Sequence, residues 1–216
     1  MKLSIFKPKR AQVDEVLAGA EGLNYDAKCG TKDLEDASRV KDLKSRGYRI
    51  CSRKVQVGHG WDDYRKAKSK LKAWEHVKLG WTAVVPDAPP KRGSDFCICA
   101  RVLGIWITNP LNTVYVENKR TKVPLLNLLP VLPLGYNSAR YSFAGGTKKG
   151  HLLAGEERFS LSIDRKTKSV DYQISSLSKP DHILSTVGYP LVCLLQSCFI
   201  RQSTRSFARK MKKPDE

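Results

Sequence analysis

The spacing of apolar side chains predicts a strand followed by an amphipathic helix in the first third of the chain. Apolar and polar residues alternate over 48–57, which is the pattern of a strand with one buried face. Over 64–79 the apolar residues recur every three or four positions and therefore share one side of a helix. Gly80 is of the residue type that commonly ends helices, so we expect the helix to stop there.

The remainder of the chain predicts a run of strands and then a long helix. Lys179-Pro180-Asp181 is a typical helix start, and Pro190 predicts a break before a long helix that reaches about Lys210. Six segments before this point have the character of strands: 81–86, 95–108, 113–117, 141–146, 155–164 and 170–176.

This order of elements favours an α+β fold over alternating parallel β-α units. We expect a curved antiparallel sheet with the long C-terminal helix packed across it, a plan that resembles the helix-grip fold of START and Bet v 1 proteins. Such a sheet and helix enclose a space between them. The expected domain covers 46–211, with a poorly structured lead-in over 1–45 and a short tail over 212–216.

One apolar segment inside the domain, 119–139, does not fit this pattern. Its three prolines are incompatible with a regular helix or a central strand. We therefore expect an insert that lies against another apolar surface. A genuine loop and a mis-spliced exon are both compatible with its composition.

Composition narrows the class and the compartment. With 41% hydrophobic residues the chain can bury a core, and its net charge of +18 attracts polyanions nonspecifically. Its N-terminal apolar stretch is too short for a signal peptide, and no segment of about 20 apolar residues is present to cross a bilayer. The six cysteines lack the spacing of metal ligands. We expect a cytosolic protein, small enough to diffuse into the nucleus, without metal or other cofactor.

Short motifs over 45–210 resemble uncharacterised protein family 0548 in its plant form, because they keep the order and approximate spacing of that family. The resemblance implies a single domain of START-like shape, and it carries over no activity and no catalytic residue. The motifs are Gly58-His59-Gly60, Lys72-Ala73-Trp74, Leu79-Gly80-Trp81, Gly146-Thr147, Gly150-His151, Ala154-Gly-Glu-Glu-Arg-Phe159, Ser178-Lys-Pro180, Gly188-Tyr-Pro190 and Gln196.

A carboxylate is predicted on the apolar face of the strand over 155–164. Alternate side chains of a strand share a face, so Glu157 joins Phe159 and Leu161 toward the enclosed space. Burial would raise the pKa of Glu157 unless a partner such as His151 or Ser176 lies close to it. A purely structural Glu157, paired with Arg158, Arg101 or a backbone amide, is the alternative. The residues we expect to bind a ligand are Glu157, His151, Tyr172, Trp106 and Phe159.

Three functions remain open at this point. The first is noncatalytic binding of a small hydrophobic or amphipathic ligand between the sheet and the C-terminal helix. The second is an enzyme of cyclase or hydrolase type that uses Glu157 and His151. The third is a basic surface that binds RNA or anionic membranes. The residues predicted to contact anions are Arg65, Lys66, Lys68, Lys72, Arg205 and Arg209.

Overall fold

An antiparallel sheet with a long C-terminal helix dominates the fold, as the sequence predicted. The computed structural model describes residues 2–122, 136–181 and 186–213. The strands are β1 (Lys2–Ser4), β2 (Arg49–His59), β3 (Thr82–Val85), β4 (Asp95–Val102), β5 (Ile105–Lys122), β6 (Tyr136–Thr147), β7 (Leu153–Ile163) and β8 (Ser169–Pro180). The helices are α1 (Arg10–Ala18), a 3-10 turn (Gly30–Asp33), α2 (Ala37–Ser45), α3 (Gly60–Lys72) and α4 (Tyr189–Lys212).

The sheet runs in the order β2-β8-β7-β6-β5-β4-β3, and each neighbouring pair is antiparallel. Strands β4 to β8 therefore form a meander, because each one pairs with the next along the chain. The short β1 pairs with Trp106–Thr108 of β5. The predicted fold class, α+β with the C-terminal helix against an antiparallel sheet, is confirmed.

Local boundaries differ from the prediction at several places. Strand β5 continues through 109–112, and Lys179-Pro180 ends β8 where a helix start was expected. The run over 95–108 is two strands, because Leu103 and Gly104 both adopt positive φ and form a tight turn. Helix α3 ends at Lys72 rather than at Gly80, since Trp74 has a φ of 60° and leaves the helical path. The indole Nε1 of Trp74 then donates a hydrogen bond of 2.8 Å to the carbonyl of Ala88.

The predicted insert over 119–139 falls partly on the two long strands. Residues 119–122 continue β5 and 136–139 begin β6, while 123–135 lie outside the described residues. The two strands pair as far as Lys122 and Tyr136. The apolar proline-containing part of the prediction is therefore untested by the structure.

The main core lies between one face of the sheet, called here the inner face, and helices α3 and α4. Aromatic residues fill it: Phe143 and Phe159 stack on neighbouring strands with ring centroids 5.3 Å apart, and Phe207 of α4 packs on Tyr172 at 4.6 Å. His76 is fully buried among these rings. Burial lowers the pKa of His76 to about 3, so this imidazole is neutral at physiological pH.

The first 45 residues cover the opposite, outer face of the sheet. They hold β1, α1, the 3-10 turn and α2 where a poorly structured lead-in was expected, and this is a correction to the sequence analysis. Val13 of α1 packs with Trp106, and Leu43 of α2 packs with Leu177 of β8. Weak periodicity concealed these short helices, because each one buries only a single side chain completely.

The lead-in is also bonded to the sheet through a buried acid, Glu156 of β7. Its carboxylate accepts the backbone N–H of Cys29 at 2.8 Å, the backbone N–H of Thr31 at 3.2 Å and the phenol of Tyr25 at 2.9 Å. The Thr31 hydroxyl is also in contact with the carboxylate, and it lies 2.7 Å from the phenol of Tyr115. Burial raises the pKa of Glu156, and the hydrogen bonds from Thr31 and Tyr25 oppose this rise.

We predict that Glu156→Ala lowers the free energy of unfolding by about 2–5 kcal/mol, because it leaves buried amide and hydroxyl donors without an acceptor. Urea unfolding measures the loss, and hydrogen exchange of residues 25–33 locates it. Glu35→Ala is the matched control: Glu35 forms an exposed pair with Arg140 and should cost less than about 1 kcal/mol. Equal losses in the two variants would contradict the anchoring role.

Candidate ligand pocket

A change in side-chain size along the inner face of the sheet leaves room for a pocket. Toward α3 the cross-strand rows are large, as in the row of Phe143, Phe159 and Ile174. One row further, Glu157 has Gly145 on one side and Ser176 on the other. These small neighbours cannot fill the space beneath α4 that aromatic rings fill elsewhere.

The resulting pocket has a volume of about 190 Å³ and lies between strands β4–β8 and the first half of α4. This is below the size of most drug-sized ligand sites. It is comparable to an engineered cavity of about 150 Å³ that holds benzene. Apolar side chains form most of its wall, among them Ile98, Ile107, Leu111, Val192, Leu195 and Phe199.

Glu157 contributes a carboxyl group to this apolar pocket, as the alternation of β7 predicted. Among the described residues, none donates a hydrogen bond or forms an ion pair with it, so the structural pairing with Arg158, Arg101 or an amide is not observed. Burial raises the pKa of Glu157 to about 8. A large part of the Glu157 population is therefore protonated near neutral pH.

His151 lines the same pocket as Glu157. The Nδ1 atom of His151 accepts the backbone N–H of Leu153 at 2.9 Å, which puts the proton of the neutral ring on Nε2. Burial lowers the pKa of His151 to about 3. The ring is thus a neutral hydrogen-bond donor at physiological pH rather than a base.

Two further polar groups of the pocket lack hydrogen-bond partners among the described residues. They are Oδ1 of Asn109 on β5 and Oγ of Ser176 on β8, and both atoms are buried. By contrast, Gln196 of α4 is fully engaged, because it donates to Ser178 at 3.0 Å and accepts from Arg49 at 2.7 Å. The pocket therefore has one ordered polar corner and three unengaged groups: Glu157, Asn109 and Ser176.

Three of the residues predicted to bind a ligand lie elsewhere. Tyr172 and Phe159 face the same side of the sheet, but they are packed in the aromatic core and are not in the pocket wall. Trp106 is on the outer face, with Val13 and the buried thiols of Cys97 and Cys99. Its position follows from the Leu103–Gly104 turn, which pairs Trp106 with Arg101 and so places it on the face of β4 that carries Cys97 and Cys99.

The pocket residues that the sequence analysis missed, Asn109 and Gln196, had a weak signal in the chain. The usable signal was the presence of several small residues on the inner face near the ends of three strands: Gly145 and Thr147, Gly155, and Ser176 and Ser178. Small residues on facing positions predict a gap in the core. Nothing in the sequence placed α4 above that gap in a known register.

The predicted anion-contacting residues divide into two groups. Arg65, Lys68 and Lys72 of α3 line a groove on the molecular surface, whereas Lys66 donates to the backbone carbonyl of Lys213 at 3.0 Å. Arg205 and Arg209 are exposed on α4 and do not line that groove. The six residues therefore do not form one site.

Within the described ranges, no three His, Cys, Asp or Glu side chains are grouped closely enough to hold a metal ion. None of the helices in those ranges combines the length and apolar character that a membrane crossing requires.

Comparison with known proteins was informative at the level of the family. Residues 33–206 match the model of DUF1990, a domain of unknown function. A UPF0548 protein of Arabidopsis thaliana is 34% identical over 207 residues, which are 94% of this chain and 95% of that protein. A UPF0548 protein of Dictyostelium discoideum is 26% identical over 193 residues, covering 85% of this chain and 82% of that protein.

Solved structures show a more distant likeness. A START superfamily protein of Mycobacterium smegmatis matches with a TM-score of 0.43 and 13% identity, over 76% of this chain and 97% of that chain. Norcoclaurine synthase of Thalictrum flavum matches with a TM-score of 0.44 and 10% identity, over 77% of this chain and 97% of that chain. These likenesses concern the fold and give no information about activity.

We predict that Glu157 makes the stability of the protein fall as pH rises from about 4.5 to about 8, because in this range the unfolded chain has released the proton that the folded state retains. The slope contributed is at most about 1.4 kcal/mol per pH unit. Urea unfolding at pH 5, 6, 7 and 8 should show Glu157→Gln gaining on the wild type at each step. Glu21→Gln, at an exposed site, is the control. Parallel curves for Glu157→Gln and the wild type would refute the prediction.

Proposed function

Because this chain belongs to the DUF1990 family, whose description names no activity, we propose a function from the pocket itself. The proposed function is noncatalytic binding of a small amphipathic molecule. The observation that carries the proposal is the carboxyl group of Glu157, which has no partner among the described residues and lies in a mostly apolar pocket. Burying such a group without a partner costs stability, so an acid at this position favours a role toward a ligand.

The wall of the pocket constrains the ligand. A volume of about 190 Å³ suits a molecule of roughly one ring or a short aliphatic chain, and a long lipid chain would require α4 to move. Glu157 and the Oδ1 atom of Asn109 are acceptors, at least when Glu157 is ionised. The polar end of the ligand should therefore donate hydrogen bonds, as an amine or a hydroxyl does.

We predict that an alkylamine binds with a pH dependence set by Glu157. The ammonium stays protonated up to about pH 10 and pairs best with the carboxylate, whose population grows tenfold per pH unit below its pKa of about 8. The Kd of hexylamine should therefore fall by about tenfold from pH 6 to 7 and by about fivefold from pH 7 to 8, and should level off above that. The Kd of 1-hexanol should change little, and hexanoate should bind more weakly than either. Isothermal titration measures all three.

Two variants make this experiment specific. Glu157→Gln should remove the pH dependence of hexylamine binding, while Ala100→Leu narrows the pocket and should weaken hexylamine and hexanol alike. Binding of hexylamine that does not depend on pH would refute the role of Glu157. Binding that Ala100→Leu leaves unchanged would place the site outside the pocket.

One observation favours a second candidate function, general acid–base catalysis. A carboxyl group with a pKa of about 8 lies near the pH at which proton transfer is most efficient, and the neutral His151 is a donor in the same pocket. Incubation of the protein with an extract of small metabolites separates the candidates. Binding retains one compound in proportion to the protein. Catalysis converts a compound in excess over the protein, and Glu157→Gln abolishes that conversion.

A further inference from the structure

A second concave site lies between α3 and the end of β5, and its lining is basic where that of the pocket is apolar. This basic groove is lined by Trp61, Tyr64, Arg65, Lys68, Ser69, Lys72 and Arg120, and its volume is about 520 Å³. It shares no lining residue with the apolar pocket. A proposal about this groove is therefore independent of the function proposed for the pocket.

Four cationic side chains converge on the groove. Lys68 and Lys72 lie one helical turn apart, and their ammonium nitrogens are 4.9 Å and 5.7 Å from the ring centroid of Tyr141. Both are thereby held on the same side of α3. Burial lowers the pKa of Lys68, and the charges of Lys72 and Arg120 lower it further. These side chains are thus close enough to repel one another.

Among the described residues, the two lysines of the groove have no carboxylate partner. Arg65 pairs with Asp62, whose side chain is 95% exposed and points to solvent. No carboxylate among the described residues lies within 4.0 Å of Lys68 or Lys72. Lys68 instead donates to the amide oxygen of Asn118 at 2.9 Å, which is a neutral acceptor. A surface cluster of this kind retains its attraction for an anion.

Hydroxyl groups and an indole complete the lining. The hydroxyl of Tyr64 is buried and has no hydrogen-bond partner among the described residues, and the residue is only 3% exposed. Ser69 supplies a second hydroxyl from the same helix. Trp61 packs edge-on against Tyr64 with ring centroids 5.7 Å apart and leaves an aromatic wall beside the cations.

We propose that this groove binds a phosphate monoester, with Lys68, Lys72 and Arg120 around the phosphate, the Tyr64 hydroxyl donating to it and Trp61 against the organic group. A phosphate monoester carries close to two negative charges at neutral pH and offers three acceptor oxygens. Convergent cations and hydroxyl donors match that head better than they match a single carboxylate. The apolar wall of Trp61 distinguishes an ester from inorganic phosphate.

Phenyl phosphate is the probe for a soluble ester, titrated calorimetrically into the full chain at pH 7.5. We expect one saturable site that Lys68→Gln/Lys72→Gln weakens by about tenfold or more, since two charge-assisted contacts are lost. Tyr64→Phe keeps the ring and removes the hydroxyl, and should weaken binding by about fivefold. Lys41→Gln/Lys44→Gln removes the same charge from the exposed face of α2 and should change the affinity by less than about twofold.

Vesicles distinguish a lipid headgroup from a soluble ester. Cosedimentation with phosphatidic acid vesicles, absent with phosphatidylcholine vesicles and lost in Lys68→Gln/Lys72→Gln alone, would support the groove with a lipid as the source. Saturable binding of phenyl phosphate with the same variant pattern would support a soluble source. If the two double variants lost equal affinity, the net charge of the protein would explain binding, and the proposal would be overturned. So would the absence of binding to both probes.

Discussion

Burial of β7 on both faces is the constraint on which the rest of this structure depends. Two consecutive acids of that strand, Glu156 and Glu157, point to opposite sides of the sheet, and neither side is open solvent. On the outer face, amides and hydroxyls of the lead-in satisfy Glu156. On the inner face, Glu157 meets an apolar pocket and no partner among the described residues. The same backbone alternation thus places Glu156 where hydrogen bonds within the protein satisfy it, and places Glu157 where it can interact with a ligand.

The inner face explains why a pocket exists at one end of the sheet and a solid core at the other. Aromatic rings on β6, β7 and β8 meet Phe207 of α4 and leave no gap, and His76 is enclosed among them. Toward the beginning of α4 the strands carry glycine and serine instead. Helix α4 is continuous from Tyr189 to Lys212 and covers both regions without a break. The pocket beneath the first turns of α4 is a consequence of this change from large to small side chains.

The sequence predicted the parts of this structure that rest on local periodicity. The order of elements after residue 48, the long terminal helix and the orientation of Glu157 all follow from alternation and helical spacing. His151 lines the same pocket as Glu157. The errors arose where a single backbone angle changes the outcome: positive φ at Leu103 and Gly104 moved Trp106 to the outer face, and positive φ at Trp74 shortened α3.

Long-range contacts were beyond the reach of the sequence for a different reason. The donors to Glu156 come from residues about 125 to 131 positions earlier in the chain, and nothing in a polar, weakly periodic segment indicates such a partner. The basic groove similarly combines α3 with Arg120 of β5. The charged face of α3 was visible in the sequence, whereas the buried hydroxyl of Tyr64 and the Tyr141 ring that organises the lysines required coordinates.

The anchoring of Glu156 has a bearing on where this domain begins. The region that matches the family model starts at residue 33, after all the groups that donate hydrogen bonds to that carboxylate. A chain that began at this boundary would keep seven of the eight described strands. It would nevertheless lose the donors that satisfy the carboxylate of Glu156 on the outer face of the sheet. The unit that folds together is therefore longer than the region matched by the family model, because the N-terminal residues supply the hydrogen-bond donors to Glu156.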